Sequence, residues 1–334
     1  MPVTLPRPRL LELLDRAAAQ RVAIIGDAML DVYLRGDVDR ISPEAPVPVV
    51  RVRDRRVALG GAANVAQNVA ALGAGCEIVC TVGRDAAGES LRAMLGAIGS
   101  DARAVVTTSR PTTTKTRILA RAQQMMRFDE EDDSDVSGDD AERLLDATRT
   151  ALSSATAVVL EDYNKGVLVP VVISAAISAA RERGIPVVVD PKYRNFFSYR
   201  GATIFKPNRR ELESALGAAV DLEHPEALPG VFERLGVDHL LLTLGEHGMA
   251  LLSRDRAPYR VPTTAREVYD VVGAGDTVTA HLAVMLASGA TATEAAIVAN
   301  FAAGVEVGKL GAATVSKDEV VAAYDDFVER GHVV

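Results

Sequence analysis

The chain of 334 residues is long enough for one large domain or two smaller ones and assures a sizeable core. Its 48% hydrophobic and 25% charged content exclude a disordered or fibrous chain. A net charge of -8, with 45 acidic against 37 basic residues, argues against a surface that grips nucleic acid, while leaving room for a small anionic ligand held by a local cluster of positive groups.

Residues Met1–Gln20 form an amphipathic segment bearing Arg7, Arg9 and Arg16 without a continuous apolar stretch, so a secretory signal is not expected and a cytoplasmic location is. No eighteen apolar residues run without a charge, so no membrane span is expected either. The run Arg21–Gly26 followed by Asp27 is the pattern of a buried parallel strand that delivers a polar residue at its carboxyl end. Similar units recur at 157–160 before Glu161 and Asp162, at 185–189 before Asp190, and at 239–243 before Leu244 and Gly245. Helical periods cover Val171–Arg183, Arg209–Leu216 and Glu226–Leu235 between them. This alternation predicts a doubly wound α/β fold, a mostly parallel sheet with helices on both faces, whose ligands gather beyond the carboxyl ends of the strands.

Two stretches, 32–53 and 112–129, break the alternation: both are rich in β-formers without a helical period and read as exposed strands. They predict a small sheet projecting from a single domain spanning 1–334, serving as a lid, a dimer surface or both. Cys76 and Cys80 alternate onto one strand face and read as buried thiols, because a disulfide between residues four apart on a strand is sterically poor. The acidic run Asp129–Asp140 reads as a solvated turn before a helix.

The strongest chemical signal is Asp270-Val-Val-Gly273-Ala274-Gly275-Asp276-Thr277, followed by a helical pattern over Val278–Ser288. Its two glycines permit a tight turn that converges backbone N–H groups at a helix start, where the macrodipole also favours an anion. Asp276 on the first turn is then placed to take a proton from a hydroxyl that attacks a phosphoryl group. The alternative is a glycine-containing helix entry whose Asp only caps the helix. Rival motifs fail on particular letters. Val278 stands where a dinucleotide fingerprint needs glycine, there is no Gly-x-x-x-x-Gly-Lys-Ser/Thr loop and no His-Arg-Asp, and the five histidines, His332 among them, lack the spacing of a zinc site.

Together, Asp270-x-x-Gly-Ala-Gly-Asp276, Gly60-Gly61-Ala62-Ala63-Asn64-Val65-Ala66 and Asn208-Arg209-Arg210-Glu211 resemble, in order, the three motifs of the ribokinase-like carbohydrate kinases, the phosphofructokinase B family. Ser42-Pro43-Glu44-Ala45-Pro46-Val47-Pro48-Val49, Asp162-Tyr163-Asn164-Lys165-Gly166, Asp190-Pro191-Lys192 and Val307-Gly308-Lys309-Leu310-Gly311 are further similar to the kinase part of heptose 7-phosphate kinases, and the likeness covers nearly the whole chain. It implies an ATP-dependent, Mg²⁺-assisted kinase with a sugar phosphate as partner. A kinase for ribose, a fructose phosphate or a nucleoside, and a sugar-sensing protein without catalysis, are the alternatives. No His-x-Gly-His motif is present, so a stand-alone kinase beside a separate nucleotidyltransferase is expected, as is a homodimer formed through the lid strands.

The resemblance implies roles residue by residue. Asp276 is the base, and Gly273, Ala274 and Gly275 supply the anion hole. Asn208 and Glu211 help hold the nucleotide phosphates, Glu211 reaching Mg²⁺ through water; read alone, Asn-x-x-Glu is equally a helix cap. Thr243, Gly245 and Asp270 complete the nucleotide set, and Asp270 is the place for a monovalent cation such as K⁺. Asp27, Asp31, Gly60, Gly61 and Asn64 receive the sugar, since carboxylates accept several hydroxyl donors. Arg40, Arg121, Lys165 and Lys192 are the candidates for a phosphate the sugar already carries, each with a solvated surface charge as its alternative.

Overall fold

The computed structural model describes residues 5–100, 102–121, 123–222, 229–254 and 256–331. Residues 1–4 of the expected amphipathic start, 226–228 of an expected helix, residue 122 of the second lid stretch and His332 lie outside them. Elements are numbered in chain order. The main sheet comprises β1 (Arg21–Gly26), β4 (Gly75–Val82), β5 (Val105–Thr107), β8 (Ala157–Glu161), β9 (Val187–Asp190), β10 (Ile204–Phe205), β11 (His239–Thr243), β12 (Met249–Ser253) and β13 (Tyr259–Val261). Its order is β13-β12-β11-β10-β9-β8-β1-β4-β5, parallel from β11 to β5, with β12 and β13 antiparallel at one edge. The helices are α1 (Arg7–Arg16), α2 (Ala62–Ala71), α3 (Ala86–Ala97), α4 (Gly138–Leu152), α5 (Pro170–Glu182), α6 (Arg209–Leu216), α7 (Pro229–Leu235), α8 (Ala274–Ala287), α9 (Ala292–Glu306) and α10 (Lys317–Glu329).

Strand alternation builds two cores, one on each face of this sheet. Val22 and Ile24 of β1 point to one side and meet Leu13 of α1, Val65 of α2, Leu282 of α8 and Phe301 of α9. Ala23 and Ile25 point to the other and meet Leu144 of α4, Ile173 of α5, Leu212 of α6 and Phe232 of α7. Helices therefore cover both faces, and the doubly wound reading holds. Cys76 and Cys80 lie in the first core, buried and unpaired, and burial pushes the Cys80 thiol up to about 12.

The stretches read as two exposed strands form a four-stranded sheet of order β3-β2-β6-β7. It comprises β2 (Ala28–Ile41), β3 (Pro48–Gly61), β6 (Thr114–Ala120) and β7 (Gln123–Glu130). The first pair of strands begins earlier and ends later than the expected 32–53, because Ala28, Leu30 and Leu59 at the root are buried and carry the sheet into the main core, while β6 begins at Thr114 rather than at 112. Pairing of Ala28 with Gly61 returns β3 to the carboxyl end of β1, where Gly61 begins α2. Gly61 has φ +56, and a Cβ there would lie 2.4 Å from the Asp27 carbonyl oxygen, so only glycine makes this turn. Asp129–Asp140 is less free than a solvated turn: Glu131 pairs with Lys165 at 2.7 Å and Asp133 with Arg194 at 2.6 Å. Among the described residues no helix is long and apolar enough to cross a membrane.

Ile24 is fully buried at the centre of the sheet. Ile24→Ala is expected to lower unfolding stability by about 2–5 kcal/mol in urea titrations; a loss under about 1 kcal/mol would show that the site can collapse around the missing methyl groups.

Candidate functional site at the carboxyl rim of the sheet

Parallel strands end on one rim, and here β1, β8 and β9 end in or beside Asp27, Glu161 and Asp190, while Lys206 follows β10. The first turn of α8 is brought over this rim, because the helix packs across β8 and β9. Gly273 starts it with φ +96, and a Cβ there would approach Asn64 Nδ2 to 3.0 Å. The first N–H groups of a helix have no acceptor within it, so the turn at Gly273–Gly275 presents donors for an anion.

Asp276 is 4% exposed and accepts hydrogen bonds from Asn64 Nδ2 and Tyr163 Oη, each at 2.8 Å. Burial pushes its carboxyl up to about 6, while those two donors pull the other way. It remains ionised at neutral pH with raised basicity, the property of a general base. Asn64 is positioned in turn by Asn68, whose Nδ2 donates to the Asn64 carbonyl at 3.1 Å. The two motifs separated by some two hundred residues thus meet through one hydrogen bond, and Asp276 does more than cap its helix.

One oxygen each of Glu161, Asp190 and Asp276 lies within 4.8 Å of the others, all three side chains being buried. Lys206 Nζ donates to Asp190 at 2.7 Å, and Lys192 Nζ stands 3.8 Å from the same carboxylate. Although burial pushes Asp190 up, these two ammonium groups hold its carboxyl below the usual range. Glu161 is raised well above that range by burial and by Asp190 and Asp276. Its two oxygens find no donor among the described residues, so a proton on Glu161, shared with Asp190, is what satisfies the pair. A hard divalent cation such as Mg²⁺ fits this set of carboxylate oxygens, and would take the place of that proton.

Glu211, expected to reach Mg²⁺ through water, commits both oxygens within the protein: Oε2 accepts the Asn208 N–H at 2.8 Å and Oε1 accepts from Lys192 at 2.6 Å. Asn208 Oδ1 accepts the Glu211 N–H at 2.9 Å, so the Asn-x-x-Glu segment is a complete capping box at the start of α6. Both readings of that motif bear on one place, because the cap also anchors Lys192 beside Asp190. Thr243 lies alongside, bridged to Asn208 at the end of β11, and Gly245 opens the turn that follows.

The residues expected at the sugar divide. Asp27 is 1% exposed and spends its carboxylate on the N–H groups of Tyr163, Lys165 and Val167 at 2.8, 2.9 and 3.1 Å. It is a strut that shapes the 163–167 loop, and burial with Asp162 nearby pushes its carboxyl up to about 6 against those three donors. Asp31 pairs with Arg117, its other oxygen lying against Gly60, where a Cβ would come within 2.7 Å of it. Of the phosphate candidates, Lys165 is paired with Glu131 and Lys192 with Glu211. Arg121 turns the far end of the β6–β7 hairpin and Arg40 lies near the far end of β2, roughly 20 and 40 Å respectively along the strands from their roots at about 3.3 Å per residue. Asp270 accepts from the Val272 N–H at 3.0 Å and the Gly311 N–H at 3.2 Å, tying the approach to α8 to the 308–311 loop.

Tyr163, Glu161, Asp190 and Lys206 escaped the sequence reading as site residues. Glu161 and Asp190 had a legible signal, an acid closing an apolar strand; nothing local marks Tyr163 or Lys206.

Residues 19–319 match the family described as pfkB family carbohydrate kinase. The chain is similar to the bifunctional protein HldE of Rhodospirillum rubrum, 45% identical over 321 residues that make up 95% of this chain and 65% of that protein. It is also similar to HldE of Caulobacter vibrioides, 48% identical over 309 residues, 91% of this chain and 63% of that protein. The chain thus spans just under two thirds of the length of these curated relatives. Among solved structures, phosphofructokinase-2 from Escherichia coli in complex with potassium superposes with a TM-score of 0.77 at 20% identity, covering 92% of this chain and 99% of that one. Arabidopsis thaliana ribokinase complexed with ribose and ATP gives 0.72 at 23% identity, covering 91% and 98%. These likenesses show the fold.

Tyr163→Phe removes one donor to the Asp276 carboxylate, which favours its protonated form. The acidic limb of the pH–activity profile, set near 6 in the unaltered protein, is expected to move upward by about one unit. An unmoved limb would remove Tyr163 from the control of Asp276.

Proposed function

As a member of the pfkB family of carbohydrate kinases the chain is an ATP-dependent sugar kinase, and we propose that its acceptor is D-glycero-β-D-manno-heptose 7-phosphate, phosphorylated on the anomeric C1 hydroxyl to the 1,7-bisphosphate for ADP-heptose and lipopolysaccharide core synthesis. The observation that carries the chemistry is Asp276: a buried carboxylate of raised basicity on the first turn of a helix whose N–H groups face outward. In the reaction Asp276 takes the proton of the acceptor hydroxyl as its oxygen attacks the γ-phosphorus. The bond from that phosphorus to the bridging oxygen breaks, and ADP leaves. The N–H groups at Gly273–Gly275 stabilise charge on the transferring phosphoryl group, an effect worth a few kcal/mol per donor in comparable sites. Asn64 and Tyr163 hold the base in place throughout.

Mg²⁺, when bound with ATP, neutralises phosphate charge; the Glu161, Asp190 and Asp276 carboxylates are the oxygens in the protein that would hold it, with Glu211 supporting them through Lys192. Val268, Tyr269, Val271 and Leu310 lie exposed next to Gly273 and offer an apolar wall to the nucleotide base. Asp270, already holding two backbone N–H groups beside this wall, is where K⁺ would sit. The heptose assignment is supported by the Ser42–Val49, Asp162–Gly166 and Asp190–Lys192 segments and by the extent of similarity to HldE. Exposed Ile41, Val47, Val52, Met126 and Phe128 on the small sheet support pairing of two copies through that surface.

ADP release over a panel of heptose 7-phosphate, heptose, ribose, fructose phosphates and nucleosides tests the acceptor. Turnover with the heptose phosphate well above every other sugar is expected; turnover with ribose or fructose 1-phosphate and none with the heptose phosphate would overturn it. Asp276→Asn is expected to lower turnover by about 10²–10⁴-fold with ATP binding retained, and retained turnover would refute its role as base.

A further inference from the structure

One face of the small sheet carries a run of cations that the residues expected from sequence do not account for. Lys115 and Arg117 on β6 point to the same side, two positions apart. The register sets Asp31 and Tyr33 of β2 beside them, then Arg56 of β3 next to Tyr33, and Asp129 and Arg127 of β7 on the other flank. The two acids on this face are already matched: Asp31 by Arg117, and Asp129 by a two-bond contact from Arg127 at 3.0 and 2.9 Å. Lys115 is left over. It is half-buried, and among the described residues it makes no ion pair; its Nζ lies 5.2 Å from the centroid of the Tyr163 ring. Lys192 Nζ stands 5.3 Å from the same ring, but Glu211 already neutralises it.

Tyr163 relates this free ammonium to the chemistry, since its hydroxyl donates to Asp276 at 2.8 Å. Lys115 thus lies over the ring of the same tyrosine whose hydroxyl holds the base. Burial holds the Lys115 ammonium below its usual range although Asp31, Asp129 and Glu131 act on it from a distance, and an anionic ligand group in direct contact completes it. We propose that Lys115 binds the phosphate already carried by the acceptor sugar, on a face where Arg56 stands in the same row as Tyr33 and Arg117. The inference rests on the sugar-kinase reading and deepens it: a sugar phosphate anchored at Lys115 presents to Asp276 the hydroxyl farthest from its existing phosphate, so this residue selects phosphorylated acceptors and sets which end of the sugar reacts.

The test is steady-state ADP release by Lys115→Gln and Lys115→Arg in the full chain, at saturating ATP, with D-glycero-D-manno-heptose 7-phosphate and with the same heptose lacking phosphate. For Lys115→Gln the KM for the sugar phosphate is expected to rise at least about tenfold, the size of one lost charge-assisted hydrogen bond. Its kcat, its KM for ATP and its KM for the unphosphorylated heptose are expected to hold. Lys115→Arg is expected to restore most of the affinity, which a merely structural lysine would not do. A KM for the sugar phosphate unchanged in Lys115→Gln overturns the Lys115 assignment and leaves the kinase intact. An unaltered protein that turns over neutral sugars but no sugar phosphate overturns the acceptor reading itself. If Lys115→Gln lowers the melting temperature, Lys115→Met, which keeps the aliphatic stem, makes the same comparison.

Discussion

Three buried carboxylates drawn to within 4.8 Å of one another are the condition around which this protein is arranged. Like charges this close in a poorly solvated place repel strongly, and the fold meets the cost in three ways. Lys206 and Lys192 lend two positive charges, Glu161 gives up its own charge by keeping a proton, and Asp276 receives two hydrogen bonds from Asn64 and Tyr163. What is left is a single carboxylate, Asp276, ionised at neutral pH yet raised to about 6, and it is the one that faces the helix start where an anion binds. Burial is thus the main source of its basicity, and the charge on Asp190 adds to it.

Each of those compensations depends on a different part of the chain arriving at the same rim. Asn64 comes from the first turns of α2, which begins where β3 ends at Gly61. Tyr163 stands on a loop folded over Asp27, whose carboxylate gathers three successive backbone donors of that loop. Lys192 is steered by the cap of α6 through Glu211. Asp27 and the Asn208–Glu211 box spend their side chains on backbone N–H groups and on Lys192, and so fix the 163–167 loop and the lysine beside Asp190. Substituting them would be expected to act on stability and on geometry together.

The small sheet brings a charged face and an apolar margin together. Its root is continuous with the main core through Leu30 and Leu59, and the pairing of its strands sets Lys115 over Tyr163 and Arg117 over Tyr33. Its outer part carries exposed Val47, Met126 and Phe128. One structure therefore holds a positive inner face near the chemistry and an apolar margin away from it.

Much of this was legible before any coordinates. Continuous apolar runs such as Val22–Ile25 and Val187–Val189 dictate buried parallel strands, because residues apolar on both sides must be covered on both sides, and Gly61 and Gly273 mark turns with a left-handed φ that favours glycine. Asp276 was legible as a candidate base from a local feature, an acid on the first turn of a helix. The sequence was silent on which charges end up free. Lys165 and Lys192 look available in the chain and are paired in the fold, whereas Lys115, one of several cations in an exposed strand, makes no ion pair among the described residues and lies over the Tyr163 ring. The same holds for Glu161 and Lys206, whose states follow from the approach of strands distant in sequence. Local pattern determines which backbone turns and faces a chain adopts, but charge state and ion pairing depend on distances between segments, and only the tertiary structure sets those.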